Sequence, residues 1–128
     1  MKHKLNLSIL PETLAVCRLN PESTIPAWAL ENPSFFAITK TGEELSIVCD
    51  QTLVPEDITA ERDWNAFKVE GPLDFSLTGI LAELSMPLAD AGLSIFAIST
   101  FDTDYILVKT NNFDKAKQIL SQTCEFIK

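Results

Sequence analysis

Apolar and polar positions change their period several times along this chain, and each change marks an element. Leu5, Leu7 and Ile9 alternate with Asn6 and Ser8, the period of a half-buried strand. Pro11 and Glu12 make a turn, and Leu14, Ala15, Val16, Cys17 and Leu19 predict a second, more buried strand. Pro21 and Pro26 exclude a long helix over residues 20–32, leaving room for one turn at 27–31. Phe35, Phe36, Ala37 and Ile38 start a third strand, which Thr41, Gly42 and Glu43 turn into a fourth at Leu45, Ile47, Val48 and Cys49. Residues 53–63 read as a linker loop with at most one helical turn, after which Trp64, Phe67 and Val69 open a new strand.

From there the spacing becomes helical. Leu77, Ile80, Leu81, Leu84 and Leu88 recur at three- and four-residue steps, with Ser76 or Thr78 as the N-cap and Gly92 as the left-handed C-cap. Pro87 removes one hydrogen bond near the end of this helix. Residues 93–100 are patterned as a strand, 101–103 turn it, and 105–110 pair back. Asn111 or Asn112 caps a second helix with the stripe Phe113, Ala116, Ile119 and Leu120, and residues 124–127 close as an edge strand. The second half therefore reads β-α-β-β-α-β, a small α+β sandwich. The first half reads as a reduced unit in which both helices have shrunk. The expected division is residues 1–63 and 64–128.

Charge narrows the partners. Between Glu43 and Asp104 stand 13 acidic residues against Arg62 and Lys68, a local net of −11 within an overall −8. Such a surface repels phosphate backbones, so nucleic acid is not expected as a partner. It fits either a plain solvated acidic surface or a pocket that selects a cationic group. No apolar run approaches the ~18 residues of a membrane span, and the N-terminal residues lack a continuous apolar core, so no membrane association and a cytoplasmic location are expected. Cys17, Cys49 and Cys124 form no CxxC pair and lie in apolar strands, as structural thiols do. One histidine, His3, cannot supply a His-based metal site or triad, and neither metal nor cofactor is expected.

The residues 75–104, FSLTGILAELSMPLADAGLSIFAISTFDTD, resemble the ACT domain. The marks are TGIL at the helix start, PLADAGLSIFAISTF across helix and strand, and DTDYILVK in the hairpin. The resemblance is to small tandem ACT proteins related to the regulatory part of aspartate kinase and to the arginine-sensor ACT family, and it covers about half of the chain. It implies a ferredoxin-like βαββαβ fold with antiparallel sheets, no catalytic activity, and binding of a small molecule, often an amino acid. ACT-like units commonly pair, so a homodimer is expected.

An α-amino acid presents a carboxylate and an ammonium. The first suits the unpaired N–H groups at a helix N-terminus, here those of Thr78, Gly79, Ile80 and Leu81, with Gly79 allowing close approach. The second suits a carboxylate: Asp74 first, then Asp102 and Asp104, which flank the turn after Ser99 and Thr100. Gly79 is equally explained by close helix packing, and the two turn aspartates by bonds to their own backbone. Acyl-phosphate hydrolysis would need an arginine at a glycine-rich loop, and Arg18 and Arg62 stand elsewhere. The competing non-catalytic reading is a ligand-free interaction module that associates through strand edges.

Overall fold

A computed structural model describes residues 5–31, 34–71 and 79–127. The chain forms two compact units, one of residues 12–64 and one of residues 1–11 with 65–128.

The unit of residues 12–64 runs β2 (Leu14–Leu19), β3 (Ala37–Lys40), β4 (Leu45–Asp50) and the first half of β5 (Thr59–Val69), after β1 (Leu5–Ile9) of the other unit. Its sheet order is β3-β4-β2-β5, with every neighbouring pair antiparallel. That is the order of a βαββαβ sheet. The helices have contracted to 3-10 turns, Ala27–Leu30 and Gln51–Leu53. Ala29 from the first turn and Val54 beside the second still close the core of Ala15, Cys17, Leu45, Ile47 and Cys49. The second turn is capped by Asp50, whose carboxylate accepts the Thr52 N–H at 2.9 Å.

The cysteine expectation holds: all three thiols are free and buried. Cys17 and Cys49 are hydrogen-bonded to each other, which together with burial raises the Cys49 pKa; the same bond lowers that of Cys17 against the opposing effect of burial.

Two boundaries differ from the sequence reading. Phe35 and Phe36 precede β3, which begins at Ala37. Residues 59–63, expected in the linker, belong to β5, because they pair with β2 through Thr59–Arg18, Ala60–Cys17 and Glu61–Val16. Their faces are only half covered, so no apolar alternation announces them. The register then shifts between Leu14 and Val16, a bulge at which Asp63 takes φ +68°. Gln51 holds that residue from both sides: its amide nitrogen donates to the Asp63 carboxylate at 3.1 Å, and its oxygen accepts the Asp63 N–H at 2.7 Å.

The other unit is the full-sized one. The second half of β5 is followed by α1 (Ile80–Asp90), β6 (Ile95–Ser99), β7 (Asp104–Lys109), α2 (Phe113–Leu120) and β8 (Cys124–Phe126). Leu84 and Leu88 of α1 and Ala116 and Leu120 of α2 repeat at four-residue steps. They bury Leu7, Phe67, Val69, Ile106 and Val108 of the sheet. Gly92 does end α1 in the left-handed region, at φ +79°, with its N–H on the Ala89 carbonyl at 2.9 Å and the Leu93 N–H on Leu88 at 3.0 Å. The helix continues through Pro87, as expected. The second helix corrects the capping expectation: Asn112 makes no side-chain cap, and a 3-10 turn over Thr110–Asn112 leads into it instead.

The sheet order here is β6-β7-β5-β1-β8. β1, which the sequence reading assigned to residues 1–63, pairs antiparallel with β5 (Leu7 opposite Val69) and parallel with β8 (Leu5 opposite Cys124). It stands where the last strand of a βαββαβ sheet would meet the first, and the parallel pair is the exception to the expected antiparallel sheets.

Candidate functional site

Strand direction decides what meets at each end of the sheet of residues 1–11 and 65–128. β5 ends at Val69, α1 starts at Ile80, and the β6–β7 connection starts after Ser99. In a βαββ order these three points share one end. The carboxylates and N–H groups singled out from the sequence fall there, while Asp74 and Thr78, with Ser76 and Leu77, lie outside the described residues.

Gly79 sits at the N-cap of α1 with φ +80° and ψ 0°. A left-handed residue followed by right-handed ones turns successive N–H groups toward a common side, the concave nest that receives anions. The Gly79 carbonyl accepts the Glu83 N–H at 2.8 Å, the first bond of the helix. The N–H groups of Ile80 and Leu81 therefore have no carbonyl within the helix to donate to. The side chains of Ile80 and Leu81 pack against the core and contribute only their backbone to this end. An added Cβ at Gly79 would meet nothing within 4 Å. Close helix packing thus does not explain this glycine. The left-handed backbone does.

The turn on the other side is built from its own hydrogen bonds. The Thr100 N–H donates to the Thr103 carbonyl at 2.7 Å, and the Thr100 hydroxyl donates to the same oxygen at 3.1 Å. The Thr103 N–H donates to the Thr100 hydroxyl at 3.2 Å. Ser99 and Asp104 stand opposite each other in the β6–β7 ladder, and the Ser99 hydroxyl donates to Asp104 Oδ1 at 2.5 Å. Asp104 is half-buried and oriented by that bond, whereas Asp102 is exposed. Turn chemistry thus accounts for one oxygen of Asp104.

Two residues escaped the sequence reading. Phe101 is 81% exposed at the tip of the turn, where it offers an aromatic face beside the acidic residues. The signal was an aromatic ring in an otherwise polar turn. Thr103 is 5% exposed and is the one buried polar side chain among the described residues; its hydroxyl donates to the Val69 carbonyl at the end of β5. Nothing in its sequence context marks it.

Near the same end the Glu70 carboxylate accepts the Ser8 hydroxyl and lies 3.9 Å from Lys68 Nζ. Among the described residues no group of three or more His, Cys, Asp and Glu is placed to hold a metal, and no helix is long and apolar enough to cross a membrane.

The chain is similar to several known proteins. The human cytosolic arginine sensor for mTORC1 subunit 1 is 32% identical over 100 residues, 72% of this chain and 30% of the sensor. The chain thus spans less than a third of that relative. A crystal structure of a protein from Agobacterium tumefaciens matches at TM-score 0.91 and 36% identity, covering 98% of this chain and 94% of the other. The ligand-free regulatory subunit of aspartate kinase from Thermus thermophilus shares the fold at TM-score 0.62 and 13% identity, over 93% of this chain and 97% of the subunit. A family model for an N-terminal domain matches residues 12–57. The ACT domain model matches residues 59–122, which cover β5 to α2, the nest and the turn, and the chain belongs to the ACT domain family.

Proposed function

We propose that this protein is a non-catalytic regulatory module that binds a free amino acid between the start of α1 and the β6–β7 turn. The observation that carries the reading is the left-handed Gly79 at the helix start, at the sheet end that also holds Ser99, Thr100, Phe101, Asp102 and Asp104. The nest suits the ligand carboxylate. The acidic side chains of the turn, with Asp74 upstream of Gly79 in the sequence, suit cationic groups, and Phe101 suits the apolar stem of a long side chain. A basic amino acid satisfies all three features, and the relative named as a cytosolic arginine sensor makes arginine the first ligand to test, in a cytoplasmic setting.

A ligand at 100 times its dissociation constant stabilises the folded state by about 2.7 kcal/mol. For a chain of this size that raises the melting temperature by roughly 10 °C. A thermal-shift series over the twenty amino acids should therefore show its largest rise with arginine, followed by lysine. No rise with any amino acid at millimolar concentration would overturn the sensor reading and leave the ligand-free interaction module.

We also propose a homodimer. Among the described residues β6 pairs only with β7, and its sequence IFAIS carries no charge or proline, the usual devices that blunt an edge strand. Two copies related by a two-fold axis can pair such an edge with itself. Light scattering is expected to report twice the 14.2 kDa of one chain. A mass of 14.2 kDa at every accessible concentration would refute it.

A further inference from the structure

We propose that Thr103 is a positioning residue: its buried hydroxyl, bonded to the Val69 carbonyl, fixes the acidic turn over residues 100–104 to the end of β5, and ligand affinity depends on that bond. The inference rests on the reading that this turn contributes to an amino-acid site.

The turn does not need Thr103 Oγ1 to close. Thr100 closes it, since its N–H and hydroxyl both reach the Thr103 carbonyl and its hydroxyl receives the Thr103 N–H. Ser99 and Asp104 then fasten its base. These contacts make the turn a small rigid piece, and they are all internal to it. The Thr103 hydroxyl bond leaves the turn: it crosses 34 positions of sequence to Val69. Val69 is the last residue of β5, the strand from which the chain departs toward Gly79 and α1. β7 already pairs with β5, and this bond extends the tie past the start of β7 into the turn that bears Asp102.

Burying a hydroxyl costs free energy unless it is bonded, and valine has nearly the same shape with a higher strand preference. A site that served packing alone would be filled as well by valine. The hydroxyl instead supplies direction, because a hydrogen bond constrains distance and angle whereas an apolar contact does not. With the bond absent β7 still pairs with β5 and holds the base of the turn, but the residues beyond that ladder lose their tie to the end of β5. A bound amino acid that touches both pieces then has to order them itself, which weakens binding.

The test uses the full chain with L-arginine as the probe, by titration calorimetry at a temperature where every variant is folded. Thr103→Val is expected to weaken arginine binding roughly tenfold, the effect of losing one buried hydrogen bond. Thr103→Ser, which keeps the hydroxyl, is expected to retain wild-type affinity. If Thr103→Val does not fold, Thr103→Cys, with its weak S–H donor, replaces it and is expected to lose affinity while Thr103→Ser does not. A readout without ligand accompanies these: amide hydrogen exchange across residues 100–104 should speed up in Thr103→Val and remain slow in Thr103→Ser.

Wild-type affinity in Thr103→Val, even with a lowered melting temperature, would assign the hydroxyl a purely structural role and overturn the inference while leaving the binding site intact. Unchanged exchange across the turn would overturn it as well, whatever binds. A wild-type protein that binds arginine in none of these titrations fails the site reading itself, and with it the dependence of affinity on Thr103.

Discussion

Gly79→Val is expected to abolish ligand binding and to destabilise the protein at the same time. From the sequence this glycine falls in a helical first turn, where a β-branched residue is tolerated. The structure changes that expectation, because φ is +80°. An L residue pays about 1–2 kcal/mol in this region, and a β-branched one lies at the unfavourable end. Space is not the obstacle, since a Cβ there meets nothing within 4 Å. The penalty lies in the backbone alone. A valine chain that relieves it by rotating out of the left-handed region turns the N–H groups of residues 79–81 apart, and the nest is lost. Gly79→Asn, a residue that enters the left-handed region more readily, is the control. Urea denaturation should rank stability as glycine, then asparagine, then valine, and calorimetry with arginine should rank affinity in the same order. Valine with wild-type stability would refute the left-handed helix start.

The largest loss of stability is expected from Phe67→Ala. Phe67 is 1% exposed at the centre of the helix-covered face of its sheet. Its ring stacks on Phe113 of α2 with centroids 5.1 Å apart and meets Phe126 of β8 edge-on at 5.7 Å. Truncating a buried phenylalanine costs about 3–5 kcal/mol, and each aromatic pair adds roughly 0.5–1.5 kcal/mol beyond its buried area. Folded domains hold only about 5–15 kcal/mol in total, so the variant should be largely unfolded well below the wild-type urea midpoint. Phe67→Leu, which keeps most of the volume but no ring, should lose about half as much. A midpoint for Phe67→Ala within experimental error of the wild type would show that this core can collapse around the gap.

How much of this was legible in the sequence depended on whether local pattern or remote pairing decides each feature. The stripe Ile80, Leu81, Leu84 and Leu88 and the cap at Gly92 are local, and both stand where the spacing puts them. The strand at residues 59–63 was missed because its partner is β2, more than 40 positions away in sequence, and because neither face is fully buried. The place of β1 was missed for a similar reason: alternation shows that Leu5, Leu7 and Ile9 form a strand but carries no information about its neighbours. At the candidate site, Gly79, Ser99, Thr100, Asp102 and Asp104 stand out by residue type beside predicted turns. Thr103 was not, because its value comes from the Val69 carbonyl, which no spacing rule connects to it.

The pairing of β1 has a consequence for the order in which the chain acquires its structure during synthesis. Leu5–Ile9 is made well before the strands it pairs with, whose residues are Phe67, Val69 and finally Cys124 and Phe126. The unit of residues 12–64 lies between them and has its own core, so it can fold while β1 waits. During that interval β1 is an unpaired apolar strand, the kind of segment that associates with other chains if it waits too long. Asn6 and Ser8 on its polar face, and its length of five residues, keep that exposure brief in extent if not in time. β8, made more than 110 residues after β1, seals it, and the sheet carrying the candidate site is complete only when these two strands meet.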